Sequence, residues 1–306
     1  MATERRVQGA GLSLFVTERG DPARSTVVLV HGFPDTSAVW TPVAERLAAD
    51  FHVVTYDVRG AGRSDIPADR SAYGLPALVE DLASVVDATS PGAPVHLVAH
   101  DWGSIQGWEA VTTPGISGRF RSYTSISGPP IDHAALWARR HTRPGADLWK
   151  ALRQSLHSWY IAWFHVPLLP ELMFRGSRAP ALWAAALHRV ERVPTDADWP
   201  SASFGADFAH GVNLYRTNIG ARMRHPQQRH TDVPVQLVVP TRDRYVTPPL
   251  LEGLEQWSDR TWKRVIDAGH WVIRTDPDRI AAFVGDVASY VEGGPESLSL
   301  RQSEVA

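Results

Sequence analysis

Short apolar runs recur along the chain, and turn residues or helix-like patterns separate them. The runs VVLV at 27–30 and VQLVV at 235–239 are almost continuously apolar, which is typical of strands that are covered on both faces. Residues 12–17 instead alternate between apolar and polar positions, as a half-buried strand does. Further runs of strand character lie at 53–56, 95–99, 123–126 and 262–266. Each of these runs predicts a strand.

Helix-like segments follow several of these strands. Thr41 and Pro42 open one helix, and residues 75–87 and 102–111 have the apolar spacing of two others. Asp276 precedes a last helix that runs to residue 290. Strands that alternate with helices form parallel sheets whose helices cover both faces. The sequence therefore predicts an α/β fold with a mostly parallel, doubly wound sheet.

The alternation stops between residues 132 and 226. This segment is helical in pattern and holds six of the twelve tryptophans, and strand patterns return only with VPVQLVVP. A parallel sheet can resume after an excursion above its carboxyl edge, so we expect an inserted helical cap there. The expected organisation is a core domain from 1–131 and 227–292, a cap from 132–226, and a flexible tail from 293–306.

Composition narrows the functional classes. The 306 residues carry a formal net charge of -2, which does not provide the basic surface that nucleic-acid binding needs. The chain has no cysteine, which excludes disulfides, thiolate metal sites and a thiol nucleophile. The first residues lack the apolar core of a signal peptide, and no run is long enough to span a membrane. We expect a cytoplasmic protein whose oligomeric state is open, a homodimer included.

The segment VHLVAHDWGSIQGW predicts a strand that turns sharply into a helix, with Asp101 at the turn. The small residues Ala99 and Gly103 flank it, as in the strained elbow that exposes a nucleophile. An aspartate before a helix is also an ordinary N-cap, which is the alternative for Asp101 taken alone. A carboxylate can displace oxygen from strained saturated carbon and form an ester, whereas on a carboxylic ester it would have to form an anhydride. The elbow residue therefore argues against an esterase or a lipase.

Two later strand ends provide partners for this nucleophile. Asp243 follows the strand VQLVV, and His270 follows the strand WKRVI in a loop that contains glycine. The three residues then occur in the order nucleophile, acid, histidine, which suits a catalytic triad. Asp132 is the rival acid, because it follows the end of the strand before the cap. Taken singly, His270 also fits a core histidine and Asp243 a turn residue.

Backbone groups near the elbow predict an oxyanion hole. The strand VLV leads into HGFP, so the N–H of Phe33 can join that of Trp102 beside Asp101. The nearby GAGRSD at 60–65 imitates the start of a dinucleotide fingerprint, but Asp65 replaces its third glycine. The histidines and carboxylates show no metal-ligand spacing. We expect neither a cofactor nor a metal.

The motifs HGFP, DVRGAGRSD, HDWG, TRDRYV and DAGHW together resemble the epoxide hydrolases of the α/β-hydrolase superfamily, from about residue 9 to residue 291. YIAWFHVP and NLYRTN resemble the family segments that hold two ring-opening tyrosines, which implies that role for Tyr160 and Tyr215. The chain departs from the family at Ala99, where glycine is common, and at His165, where glutamine is usual. It also resembles the hydrolase portion of actinobacterial proteins that fuse an epoxide hydrolase to a short-chain dehydrogenase, which would make the tail a linker remnant.

The resemblance implies the α/β-hydrolase fold and the conversion of a small apolar epoxide and water to a vicinal diol. Asp101 would form a covalent ester, Tyr160 and Tyr215 would protonate the opening ring, and His270, oriented by Asp243, would activate water. A haloalkane dehalogenase with the same aspartate nucleophile is one alternative, although its second halide donor is usually an amide where this chain has Phe33. A fold retained only for ligand binding is the other alternative.

Overall fold

The computed structural model describes residues 2–305, which form one nine-stranded sheet. The strands are β1 (Thr3–Gln8), β2 (Ser13–Arg19), β3 (Thr26–Val30), β4 (His52–Tyr56), β5 (Val95–His100), β6 (Phe120–Ile126), β7 (Val235–Pro240), β8 (Thr261–Ile266) and β9 (Glu304–Val305). Their order across the sheet is β1-β2-β4-β3-β5-β6-β7-β8-β9. Strands β3 to β8 are parallel, whereas β1, β2 and β9 pair antiparallel at the two edges. The predicted mostly parallel sheet is confirmed.

Burial explains which strands the hydrophobic pattern reveals. Every residue of β3, β5 and β7 is buried, so these strands are apolar at most positions. Strand β1, with the sequence TERRVQ, has five exposed residues out of six and pairs only with β2. An edge strand held by backbone hydrogen bonds needs no apolar face, so the pattern does not predict β1.

Helices cover both faces of the sheet, as predicted. They are α1 (Thr41–Leu47), α2 (Leu75–Thr89), α3 (Trp102–Val111), α4 (Ile131–His141), α5 (Leu148–His157), α6 (Trp159–Phe164), α7 (Leu169–Met173), α8 (Ala179–Glu191), α9 (Phe204–Arg224), α10 (Val272–Thr275), α11 (Pro277–Val291) and α12 (Leu298–Arg301). Leu82 of α2 and Trp108 of α3 pack in the core on one face. Val43 of α1 and Val284 of α11 pack in the core on the other.

The cap consists of helices α4 to α9, which lie between β6 and β7. Aromatic side chains of α6 and α9, among them Phe164 and Tyr215, join one apolar cluster with Phe33 and Trp102 of the core. Phe33 follows β3 and Trp102 follows β5, so the cap covers the carboxyl ends of central strands. The inserted helical cap is the one the sequence predicts.

The end of the chain differs from the flexible tail predicted for 293–306. Leu300 of α12 is fully buried and packs against Trp262 and Val287. Strand β9 pairs antiparallel with β8. The prediction was wrong because polar composition dominates this segment, and one buried leucine and a short edge strand leave little signal in it. Met1 and Ala306 lie outside the described residues.

None of the helices found in residues 2–305 has both the length and the apolar character that crossing a bilayer requires.

Candidate active site

Asp101 occupies a sharp turn between β5 and α3. Its backbone has φ of +53° and ψ of -121°, and such a conformation costs a non-glycine residue about 1–3 kcal/mol. The Asp101 N–H donates to the carbonyl of Ile126 at 3.0 Å, which ties the turn to the end of β6. The Asp101 side chain is 13% exposed. The turn therefore presents the carboxylate at the carboxyl edge of the sheet, beneath the cap.

Three glycines allow neighbouring segments to approach this turn. A Cβ atom on Gly103 would lie 2.4 Å from the carbonyl oxygen of Val30. A Cβ on Gly32 would lie 2.4 Å from Asp101 Oδ1, and a Cβ on Gly128 would lie 2.2 Å from the Asp101 carbonyl oxygen. The small residue expected at Gly103 thus has a steric cause. The sequence did not reveal the same requirement at Gly32 and Gly128, because they meet the turn only after the sheet has formed.

The two carboxylate oxygens of Asp101 have different surroundings. Oδ1 accepts the backbone N–H of Phe33 at 2.7 Å, whereas Oδ2 lies 3.7 Å from Nε2 of His270. Burial raises the pKa of Asp101, while the charge of His270 and the N–H groups of Phe33 and Trp102 oppose that rise. One oxygen is therefore held by a backbone donor, and the other faces the histidine.

Asp243 orients His270 from the opposite side of its ring. Nδ1 of His270 donates to Oδ2 of Asp243 at 2.9 Å. The N–H groups of Tyr245 and Val246 donate to the other oxygen, Oδ1, at 2.8 and 2.9 Å. These bonds fix the carboxylate in the loop after β7. The predicted pairing of Asp243 with His270 is the arrangement found in the structure.

The charges of this pair shift both pKa values. Burial by itself would lower the pKa of His270, but the charge and hydrogen bond of Asp243 and the charge of Asp101 raise it to about 9. Burial would raise the pKa of Asp243, but attraction to His270 lowers it below its usual value. With this pKa His270 is protonated at neutral pH, and its ring lies between the carboxyl groups of Asp243 and Asp101.

Tyr160 and Tyr215 reach the site from two cap helices, α6 and α9. The Tyr215 ring packs edge-on against the rings of Trp102 and Phe33, at centroid distances of 4.8 and 5.4 Å. The Tyr160 ring lies 6.0 Å from that of Tyr215. Burial, with a further contribution from the charge of Asp101, raises the pKa of each phenol. Both phenols therefore keep their protons above Asp101.

Two cavities meet at these residues. The first chamber, of about 580 Å³, extends toward Trp137 of α4, and the second chamber, of about 410 Å³, extends toward Trp183 of α8. Five residues line both chambers: Asp101, Trp159, Tyr160, Tyr215 and Tyr245. The carboxylate and both cap phenols thus lie where an apolar ligand can extend in two directions.

Residues 25–277 match the family model of the α/β hydrolase fold. The chain belongs to the α/β-hydrolase-fold family. Within this family the strained turn after the central strand is the position of the nucleophile. The family assignment therefore agrees with the geometry of Asp101, Asp243 and His270.

Named relatives of this α/β-hydrolase-fold chain include two proteins of Mycobacterium tuberculosis. The chain is 39% identical over 305 residues to "Probable oxidoreductase EphD", covering 96% of this chain and 51% of that protein. It therefore spans about half the length of the first curated relatives that it matches. It is 25% identical over 318 residues to "Epoxide hydrolase A", covering 92% of this chain and 95% of that protein.

A solved structure has the same fold. An epoxide hydrolase of Bacillus megaterium in complex with an inhibitor superposes with a TM-score of 0.77 at 20% identity. The superposition covers 93% of this α/β-hydrolase-fold chain and 100% of the other. The likeness supports the core sheet and the cap together.

The rival acid Asp132 and the histidine before the elbow have structural roles. Asp132, the rival acid, accepts hydrogen bonds from Arg222 Nη1 at 2.9 Å and from the Gln227 N–H at 3.0 Å. It braces the first and last parts of the cap, and Asp243 is the acid that bonds to His270. His100 donates from Nε2 to the His270 carbonyl at 2.9 Å, so it supports the histidine loop.

Sequence reasoning missed three residues that border the site. Tyr245 lines both chambers, and its ring lies 4.9 Å from that of His270. Glu191 of the cap accepts the Trp271 N–H at 3.4 Å, and its charge helps to raise the pKa of His270. The only sequence signal for Tyr245 is its place two residues after Asp243. Glu191 has none, because it comes from the end of a cap helix.

Asp35 is the third residue. It accepts the indole N–H groups of Trp199 at 2.8 Å and Trp271 at 3.0 Å, and so links the cap to the residue after His270. Burial raises the pKa of Asp35 to about 7, against the effect of the two indole bonds. It directly follows the HGFP segment, two residues after Phe33, and the sequence gave no separate signal for it.

Proposed function

We propose that the protein is an epoxide hydrolase, which adds water to an epoxide by way of an ester on Asp101. The main support is that the two oxygens of Asp101 have different surroundings. The Phe33 N–H donates to Oδ1 at 2.7 Å, and Oδ2 lies 3.7 Å from Nε2 of His270. The name "Epoxide hydrolase A" of a relative that matches most of the chain supports the proposal. The substrate is a small apolar epoxide, because aromatic and aliphatic side chains line both chambers.

In the first step Oδ2 of Asp101 attacks a ring carbon, and the bond from that carbon to the ring oxygen breaks. The departing oxygen becomes a strongly basic alkoxide, which takes a proton from Tyr160 or Tyr215. Both phenols keep their protons at neutral pH because burial raises the pKa of each. The products of this step are an ester with a neighbouring hydroxyl group and one phenolate.

Esterification prepares His270 for the second step. The ester is neutral, so His270 loses the Asp101 charge that helps to raise its pKa. The imidazolium then donates a proton to the phenolate and becomes a neutral base. His270 thus changes from an imidazolium to a neutral base, and the phenol regains its proton without one from the solvent.

In the second step His270 takes a proton from water, and the resulting hydroxide attacks the ester carbonyl. Oδ1 carries the negative charge of the tetrahedral intermediate, and the N–H groups of Phe33 and Trp102 stabilise it. When the intermediate collapses, the diol oxygen leaves with the proton from His270. The new carboxylic acid then returns a proton to His270, which restores the resting pair.

The test is to follow diol formation from a panel of epoxides alongside halide release from haloalkanes. We expect diol and no halide; halide release without diol would support the dehalogenase alternative, and ligand binding without either would support a binding protein.

His270→Gln should open one epoxide per protein and stop at the ester. Intact-mass analysis should then show an increase equal to the mass of the epoxide. A folded His270→Gln protein without this adduct, beside an active wild type, would contradict the covalent scheme.

A further inference from the structure

The cap exposes an unusual amount of apolar surface. Of the sixteen large apolar side chains that are exposed within residues 2–305, eleven lie between residues 148 and 182. We call the central part of this surface the apolar cap face, and six side chains that are each at least half exposed define it: Leu148, Trp149, Leu152, Leu156, Trp159 and Met173. Apolar residues that cluster on a surface mark a site of contact, unlike those scattered singly.

Helix α5 shows that this exposure is organised. Leu148, Leu152 and Leu156 are four residues apart, so they form one stripe along the helix. The stripe is 50–76% exposed, whereas the buried residues of the same helix are Ala151 and Gln154. A surface helix ordinarily directs its leucines toward the core. This helix instead presents them outward, as helices that lie in a membrane interface do.

The second chamber opens on the apolar cap face. Leu156, Trp159 and Met173 line that chamber, yet they are 76%, 66% and 56% exposed. The same side chains therefore form both the outer surface and the wall of the cavity that leads to Asp101. Apolar side chains thus lead from this surface into the chamber that holds the carboxylate, and the polar side chains His157 and Arg244 line the same chamber.

Cations are in excess in the part of the chain that carries the apolar cap face. Residues 139–192 contain nine Lys or Arg and three Asp or Glu, although the whole chain has a net charge of -2. One of these carboxylates, Glu171, is bound by Arg216, and another, Glu191, is partly buried. Arg140, Arg153 and Arg178 are exposed. This part of the cap thus carries both exposed leucine and tryptophan and an excess of cations, and Arg153 lies on the same helix as the leucine stripe.

We propose that the apolar cap face docks on an anionic lipid surface, with the mouth of the second chamber toward the acyl chains. Leucine and tryptophan enter the interface, and the arginines bind lipid phosphates. A symmetric dimer through this face would bring two sets of arginines together and would close the chamber. Docking on lipid does not depend on the proposed reaction. The delivery of an epoxide from the lipid to Asp101 rests on the proposed function.

Vesicle sedimentation tests the docking. The wild type should bind vesicles that contain phosphatidylglycerol more tightly than vesicles of phosphatidylcholine alone, and high salt should weaken that binding. Leu148→Glu with Leu152→Glu should weaken it by about tenfold or more, because two apolar contacts are replaced by two negative charges. Ile66→Glu is the matched control: Ile66 lies outside the cap and is 57% exposed, as Leu152 is. It should bind as the wild type does.

Three results would overturn the proposal. The first is a wild type that binds neither kind of vesicle at low salt, and the second is a double variant that binds as well as the wild type. The third is a lipid-free dimer in sedimentation velocity that becomes a monomer in the double variant, since the face would then bind a second copy. Circular dichroism establishes that the variants are folded. Vesicle binding by a protein that hydrolyses no epoxide would refute the proposed function and leave the docking intact.

Discussion

The core half and the cap half of the site are held by different forces. In the core half, Asp101, Asp243 and His270 follow strands of the sheet, and hydrogen bonds of 2.7–2.9 Å fix their polar atoms. In the cap half, Tyr160 and Tyr215 sit on helices, and aromatic contacts with ring centroids 4.8–6.0 Å apart hold them. In the proposed reaction the core therefore fixes charges, and the cap provides shape and phenolic protons.

This difference predicts how the two halves respond to change. A hydrogen-bonded charge in a buried site tolerates little displacement, because losing a partner leaves a costly unpaired group. Aromatic packing is less directional and adapts to ligands of different shape. We expect changes in the core half to abolish turnover and changes in the cap half to alter rate, pH dependence and substrate range.

The largest effect is expected for Asp101→Asn in the core half. The amide is not a nucleophile, and asparagine tolerates the positive φ of this turn, so the fold should persist. Diol formation should fall by about 10⁴-fold or more. Asp147→Asn, which changes an exposed cap carboxylate, is the control and should leave turnover unchanged. Turnover by Asp101→Asn close to the wild-type rate would mean that the core does not supply the nucleophile.

An intermediate effect is expected for the cap phenols. Tyr160→Phe and Tyr215→Phe keep the packed rings but remove the acidic protons, so each should slow ester formation by about 10²-fold. Rapid-quench measurements should show that ester breakdown changes much less. Tyr290→Phe, at a tyrosine of α11 whose hydroxyl binds Arg260, is the matched control. If the double cap variant forms the ester at the normal rate, the cap contributes shape alone.

The smallest effect is expected for Glu191→Gln, which separates charge from packing at the boundary of the two halves. The charge of Glu191 helps to raise the pKa of His270, so its removal should lower that pKa. In the proposed mechanism His270 must be neutral when it activates water, and the acid limb of kcat should therefore move to lower pH. Glu171→Gln, in a cap carboxylate bound by Arg216, should leave the limb in place. If the acid limb of kcat in Glu191→Gln stays at its wild-type pH, the cap does not shift the pKa of His270.

Much of the core half could be predicted because its signals are local. A buried strand, a sharp turn and a helix occupy one stretch around Asp101, and Asp243 and His270 each follow a strand of their own. The order of these elements follows from the connectivity of a parallel sheet. The two cap tyrosines came from family resemblance instead, since an aromatic residue in a helix ordinarily packs in a core.

The sequence by itself determined the sheet, the inserted cap and the residue at the elbow, because hydrophobic periodicity and turn chemistry act over a few neighbouring positions. Tertiary structure alone decided the position of Glu191 beside Trp271, 80 residues away, and of Asp35 beside Trp199, 164 residues away. It also decided that Leu300 anchors the end of the chain and that the leucines of α5 face outward. Such contacts depend on how whole helices pack against the sheet, and packing depends on the shape of the assembled surfaces rather than on any one segment.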